Sequence, residues 1–241
     1  MKNMKMKTAI QYQLTDLGKP MAIFYAVLYG GALAVTAIAM YLMGDEAGGF
    51  SGLDVSSIIF LMFCGVYAFL EDFQFFIQNG LTRRTIFQCQ MTLFLIAAVF
   101  MGTFELLVES LILNNITEYV SMFDLIYGTD PVILVKWLWR IGMYFMVTNL
   151  AFLSSILQNR IGKRAFVLIL IALGLILVVL LPAVNNFLDG AVADRILPIL
   201  LAVMGITENG LQMLYPFLTF LGLSAVFMAG SYCLIRRAEV K

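Results

Sequence analysis

The stretch Glu71-Asp72-Phe73-Gln74-Phe75-Phe76-Ile77-Gln78-Asn79-Gly80-Leu81-Thr82-Arg83-Arg84-Thr85-Ile86-Phe87 decides the fold, because it leaves one long apolar run, turns, and enters another. Two acids open it, four large apolar residues (Phe73, Phe75, Phe76, Ile77) follow, and Asn79-Gly80 supplies a dipeptide that tolerates positive φ and marks a sharp turn. Thr82 is placed to cap a new helix. Arg83-Arg84 stands where a membrane-crossing helix meets the cytoplasm, since basic residues are retained on that side of a bilayer. The loop is expected to face inward and to offer a surface to something soluble.

Composition agrees with a chain that crosses lipid. Hydrophobic residues make up 62% of the 241 positions, whereas soluble domains hold roughly 45–50%. The mean hydropathy is +0.94. Such a chain has too little polar surface to cover a water-soluble sphere, so an all-α integral membrane protein is expected. Fifteen basic and fifteen acidic residues cancel, so net charge says nothing about nucleic acid or acidic ligands; no nucleic-acid partner is expected. Cys64, Cys89 and Cys233 lie scattered in apolar runs without metal or disulfide spacing and read as packing residues. There is no histidine and no GxxxxGK[ST] loop. The chain therefore lacks the commonest general base and the usual phosphate cradle, and is not expected to be an enzyme by itself.

Ahead of the organising loop, residues 4–17 carry Met6, Ile10, Leu14 and Leu17 on one helical face, the pattern of an element lying along a surface. Gly18 is expected to end that helix and Pro20 to open the next. Lys2, Lys5, Lys7 and Lys19 favour an anionic cytoplasmic leaflet. Residues 1–19 are thus read as an amphipathic cytoplasmic elbow helix and residues 20–241 as a single six-helix transmembrane domain. The first crossing runs from Pro20 to Met43, and on it Ala22, Ala26, Gly30 and Ala34 recur every fourth residue as a smooth ridge that lets another backbone approach closely. The ridge suits a helix of the same chain or of a second copy.

The acidic loop 44–54 is placed outside, and a second crossing runs from Val55 to Leu70. The third begins at Ile86 and reaches about Leu107; the fourth follows Pro131 and ends near Leu157. Glu105 and Glu109 on the third, and Lys136 and Arg140 on the fourth, are each i, i+4 pairs near the outer ends. A charge at a helix centre costs about 2.5–3.5 kcal/mol to insert, so such residues find partners or water. Glu105 is expected beside Arg140, with Glu109 and Lys136 a turn nearer the exterior, either as a staple between helices or on a substrate path. Residues 110–130 are too interrupted to span and are read as an interfacial segment.

A basic turn at 158–164 leads to the fifth crossing, Ala165 to Leu181. Ile196 to Ile206 is too short to cross and is expected to re-enter the outer leaflet before the sixth crossing, Leu211 to Ile235. Twelve of the fifteen basic residues fall in the segments assigned to the inside, which places both termini in the cytoplasm of a multi-pass cell-membrane protein.

The sequence from Phe75 to Phe87, preceded by Glu71-Asp72, resembles the first cytoplasmic loop of small permease subunits of type-2 ABC exporters from Gram-positive bacteria. Tyr12-Gln13-Leu14-Thr15-Asp16-Leu17-Gly18-Lys19-Pro20 is similar to the family's opening. The topology match covers the chain; the motif match covers these two stretches. The resemblance implies two six-span permease copies, identical or related, each docked on a separate cytoplasmic ABC ATPase that binds ATP and Mg, with loop 73–85 as the coupling element and no cofactor on this chain. It makes Glu71, Asp72, Gln78, Asn79, Arg83 and Arg84 candidates for ATPase contact, although Arg83-Arg84 could equally be topology anchors. The family includes exporters of amphipathic peptides such as phenol-soluble modulins, and bacteriocin-immunity pumps. Export of lipids or drugs, or a non-transporting role as membrane sensor or assembly protein, stands as the alternative.

Overall fold

The computed structural model describes residues 2–43, 51–116, 119–128, 132–187, 191–207, 210–212 and 214–236. Asp45, Glu46, Glu118, Asp130, Pro131, Arg237 and Lys241 lie outside them. The first helix, α1, runs unbroken from Lys2 to Met43. The boundary expected at Gly18 to Pro20 is absent, and Pro20 lies inside the helix. A proline there forfeits one i→i−4 bond. The turns on either side are held by packing: Met6 and Ile10 lie against one apolar cluster, and Leu17, Met21 and Tyr25 belong to the next. The N-terminal stripe therefore meets protein, while Leu14 faces outward.

The next helix, α2 (Leu53–Tyr67), passes without interruption through a π-helical turn (Ala68–Asp72) into α3 (Phe73–Gln78). At the following turn Gly80 adopts φ 74°, a conformation glycine reaches at no steric cost. Thr82 caps α4 (Arg83–Val108) by accepting a hydrogen bond from the Thr85 amide at 3.3 Å. A second π-turn (Glu109–Leu113) and α5 (Asn114–Ile116) extend α4. The short α6 (Met122–Tyr127) begins with a reciprocal cap between Ser121 and Asp124.

After α1 the longest single α-helix among the described residues is α7 (Ile133–Ile161), which turns at Gly162 (φ 94°) into α8 (Lys163–Leu175). A third π-turn (Ile176–Leu180) and α9 (Leu181–Phe187) follow, then α10 (Ala191–Val203). A two-strand hairpin, β1 (Ile206–Thr207) and β2 (Gly210–Leu211), leads to α11 (Leu214–Arg236).

Five helical runs among the described residues are long and apolar enough to cross a membrane: Met6–Leu42, Arg83–Ile116, Ile133–Ile161, Lys163–Val184 and Leu214–Arg236. Taken alone, Leu53–Tyr67 is apolar but shorter.

The centre of the bundle is α7, packed by α2, α4 and α11. Its contact with α2 is close enough that a Cβ on Gly65 would sit 2.5 Å from the Thr148 carbonyl oxygen and 2.9 Å from the Ala151 Cβ. Phe69, Phe73, Phe76, Phe94 and Phe152 fill the end that carries loop 73–85, here termed the loop end. At the opposite, far end, Phe123 and Tyr127 of α6 meet Trp139 of α7 and Phe220 of α11. No residue described for burial between Lys163 and Val203 is buried, so the membrane-length run Lys163–Val184 and α10 stand outside this core.

Gly65→Ala places its methyl group against backbone and is expected to destabilise the fold by about 1–3 kcal/mol, the usual range for overpacking. Gly174→Ala, where a Cβ meets nothing within 4 Å, should be neutral or stabilising. Thermal midpoints of the two variants in one detergent test the contrast, and equal midpoints would contradict the close approach of α2 and α7.

Candidate functional site

Two buried polar clusters occupy opposite ends of the bundle. At the far end the helix spacing brings Glu105 and Glu109 of the α4 run onto the face that meets Lys136 and Arg140 of α7. Arg140 Nε lies 3.9 Å from Glu105 Oε2, and Lys136 pairs with Glu109. The guanidinium also reaches a second acid, with Arg140 Nη2 2.9 Å from Glu109 Oε2. A third acid, Asp54, lies 3.3 Å from the same nitrogen. Arg140 is 1% exposed, so its charge is neutralised by these carboxylates in place of water.

Neutral donors complete the cluster. Tyr25 and Tyr144 hydroxyls both donate to Glu105, the first at 2.9 Å. Tyr119 donates to Asp54 at 2.6 Å and the Met122 amide donates to its other oxygen at 3.2 Å. Asp124, whose Oδ2 lies 2.6 Å from Lys136 Nζ, binds α6 to the bundle. The segment from Tyr119 to Tyr127 thereby forms a cover over the far end, held on Asp54 and Lys136. A second tie runs from the Tyr127 hydroxyl to the Met204 carbonyl at 2.7 Å, ahead of the hairpin.

Sequence reasoning placed Asp54 in the outer loop and did not assign Tyr25, Tyr119, Asp124 or Tyr144. Asp54 stands in the first turn of α2; Glu105 and Glu109 already matched Lys136 and Arg140 in number, so nothing in the charge pattern pointed to a third acid. The tyrosines carry no sequence signal, because a tyrosine in an apolar run reads as packing.

At the loop end the residues expected on one surface divide. Glu71, Gln78, Asn79 and Arg84 are exposed. Asn79 also donates to the Phe75 carbonyl at 2.8 Å, closing α3. Arg83 points elsewhere: its Nη1 donates to the Arg236 carbonyl at 2.8 Å and lies 3.4 Å from that of Ile235, satisfying the last carbonyls of α11. Asp72 turns inward from the π-turn and accepts from Gln13 Nε2 at 2.6 Å and Gln90 Nε2 at 3.2 Å. Gln90 Nε2 also lies 3.2 Å from the Ala68 carbonyl.

Burial raises the pKa of Asp72 above the ordinary aspartate value; the two glutamine amides oppose the shift, and Asp16 and Glu71 reinforce it. Tyr12 stacks on Phe75 with ring centres 5.2 Å apart, so the start of α1 also braces α3.

The small-residue ridge Ala22, Ala26, Gly30 and Ala34 is exposed along its length. Ala22 and Ala26 form one side of an apolar groove of about 500 Å³ whose other side is Phe100, Phe104 and Ile112 of the α4 run. A Cβ on Gly30 would meet nothing within 4 Å. Among the described residues, Cys64, Cys89 and Cys233 are free thiols.

Removing Arg140 leaves buried acids without their cation. Arg140→Leu is expected to cost about 3–5 kcal/mol, against less than about 0.5 kcal/mol for Arg84→Leu on the surface. Comparable losses of the thermal midpoint would show that the far-end charges do not hold the bundle.

Asp72 gives a pH signature. Its raised pKa means the folded chain holds the proton more tightly than the unfolded chain. The group's contribution to stability is present below the ordinary aspartate pKa and is lost as pH rises through the raised value. Asp72→Asn should abolish this component of the slope and melt higher than the parent at neutral pH; a lower midpoint at pH 7.5 would contradict this sign.

A scan against protein-family models, a search of curated proteins and a search of solved structures each find no match to the chain.

Proposed function

We propose that the chain is the transmembrane permease subunit of an ATP-driven ABC exporter. It crosses the cell membrane six times with both termini in the cytoplasm. The second crossing in this reading is Val55 to Leu70, and the helical run continues past it through the π-turn and α3 into the coupling loop. The α1 residues before Pro20 serve as the elbow, continuous with the first crossing, and α10 with the hairpin serves as the re-entrant segment of the outer leaflet.

The observation that carries this reading is the mechanical continuity of the loop end. Helical structure runs from Leu53 to Gln78, Tyr12 stacks on Phe75, and Arg83 grips the end of α11. A push on the exposed tip formed by Glu71, Gln78, Asn79 and Arg84 is therefore delivered to α1, α2, α4 and α11 together.

A separate cytoplasmic ATPase, holding ATP and Mg, supplies that push. Each nucleotide state has to contact the tip differently, or no work is transmitted. Two permease copies, identical or related, would meet along the exposed Ala22, Ala26, Gly30 and Ala34 ridge, where small residues permit close helix approach. Rocking of the helices then changes the opening of the cavity between copies. Amphipathic or hydrophobic peptides are the proposed cargo, with lipid or drug export as the competing cargo class.

Copurification of the tagged chain in detergent, followed by an ATPase assay, tests the proposal. The expected result is a retained nucleotide-hydrolysing subunit whose yield or substrate-stimulated activity falls at least about tenfold in Gln78→Ala/Arg84→Glu, a loss of about 1.4 kcal/mol or more, with an unchanged thermal midpoint. Arg83 is left intact because it holds α11. If nothing that binds nucleotide accompanies the chain in several detergents, the exporter reading fails and a membrane sensor or assembly protein takes its place.

A further inference from the structure

A cavity of about 300 Å³ opens at the loop end between α1 and the run from α2 into the π-turn, backed by Phe94 of α4 and Thr148 of α7. Its walls are aromatic, with Phe60, Phe63 and Tyr67 on α2. Its polar rim is unusual for a chain with equal numbers of acids and bases. Asp16, Glu71 and Asp72 all line the cavity, and among the described residues no lysine or arginine does.

Gln13, also in the lining and 2% exposed, spends its amide nitrogen on Asp72 and leaves Oε1 buried with no hydrogen-bond partner. Gln90 repeats the arrangement behind it: Nε2 on Asp72, Oε1 buried and unpartnered. The cluster thus holds surplus acceptors and negative charge, and among the described residues no donor meets the two buried amide oxygens.

From this geometry we infer a binding site for an organic primary ammonium carried on an apolar body. The ammonium brings three N–H donors and a positive charge to the Asp72 and Gln13 side of the cavity. The attached carbon chain lies along Phe60, Phe63 and Tyr67, whose ring faces also favour a cation.

Size limits what enters. The volume is at the lower end of ligand pockets, roughly 300–1,000 Å³. One ammonium group with a short alkyl chain fits, such as a lysine side chain or the amine end of an amphiphile, and a folded peptide does not. A bare metal ion is disfavoured, because among the described residues no group of three or more His, Cys, Asp or Glu side chains could hold one. The site does not depend on the exporter assignment, since its occupancy is measured on the purified chain without an ATPase.

The test uses the full chain in phosphatidylcholine nanodiscs, with octylamine as the probe and octanol and octyltrimethylammonium as controls. Binding is read by the shift in thermal midpoint and by calorimetric titration. Octylamine is expected to bind at least about tenfold more tightly than either control, a preference of about 1.4 kcal/mol or more, because octanol lacks the charge and the quaternary amine lacks N–H donors. Asp72→Asn and Gln13→Leu should each remove most of this preference.

Two further arms separate the sources of the ammonium. Competition by a lysine-rich amphipathic peptide, absent once its amines are acetylated, identifies a soluble amphiphile. Weakened octylamine binding in phosphatidylethanolamine nanodiscs identifies a lipid headgroup. Octylamine binding no better than octanol, or with undiminished preference in Asp72→Asn, overturns the assignment.

Discussion

The arrangement of this protein depends on where one guanidinium goes. Arg140 is almost wholly enclosed, and an ion of that size removed from water costs several kcal/mol unless carboxylates meet it. Glu105 comes from α4 and Glu109 from the π-turn that extends it, Asp54 from α2, and the arginine itself from α7. Satisfying it fixes which faces of the three helices meet. Lys136 then recruits Asp124, and with it α6, so the far end closes as a consequence of the same requirement. Apolar packing alone would leave helix rotation weakly specified in lipid, because lipid tails and leucine side chains are equally apolar.

The two ends are built on different physics. The far end joins four carboxyl groups, two cations and several hydroxyls into one network. The loop end is an aromatic core with a single inward aspartate held by amides. Asp72 at the loop end and Glu109 at the far end both stand in π-helical turns, Ala68–Asp72 and Glu109–Leu113. Such turns interrupt the regular helix register and are common where a side chain has a function. The third π-turn, Ile176–Leu180, carries no charge and lies in the run without buried residues.

Much of this was legible in the sequence for identifiable reasons. Apolar runs of membrane length dictate helices, because no other open structure satisfies its backbone in lipid. Asn79-Gly80 and Thr82 carry their turn and cap chemistry locally, and both appear where that chemistry puts them. The i, i+4 acids and bases announced that α4 and α7 meet. What was not legible required tertiary knowledge. Gly18 and Pro20 signal a helix end by propensity, yet the packed turns on either side carry α1 through. Arg83 reads as a topology marker or docking residue, while its partners are carbonyl groups that sequence cannot display. Asp72 looks like its exposed neighbour Glu71 until the π-turn sends the two in different directions.

The far-end network also has a chronology. Asp54, Glu105, Glu109 and Asp124 precede Lys136 and Arg140 in the chain, so all four acids of the network are synthesised before either of its cations. The acids of α2 and the α4 run find their counter-ions on α7, so the network is complete only once α7 is present. The run beginning at α8 carries no such debt after its first turn and can partition into lipid as soon as it emerges. A nascent chain arrested before Lys136 holds these acids without either counter-ion.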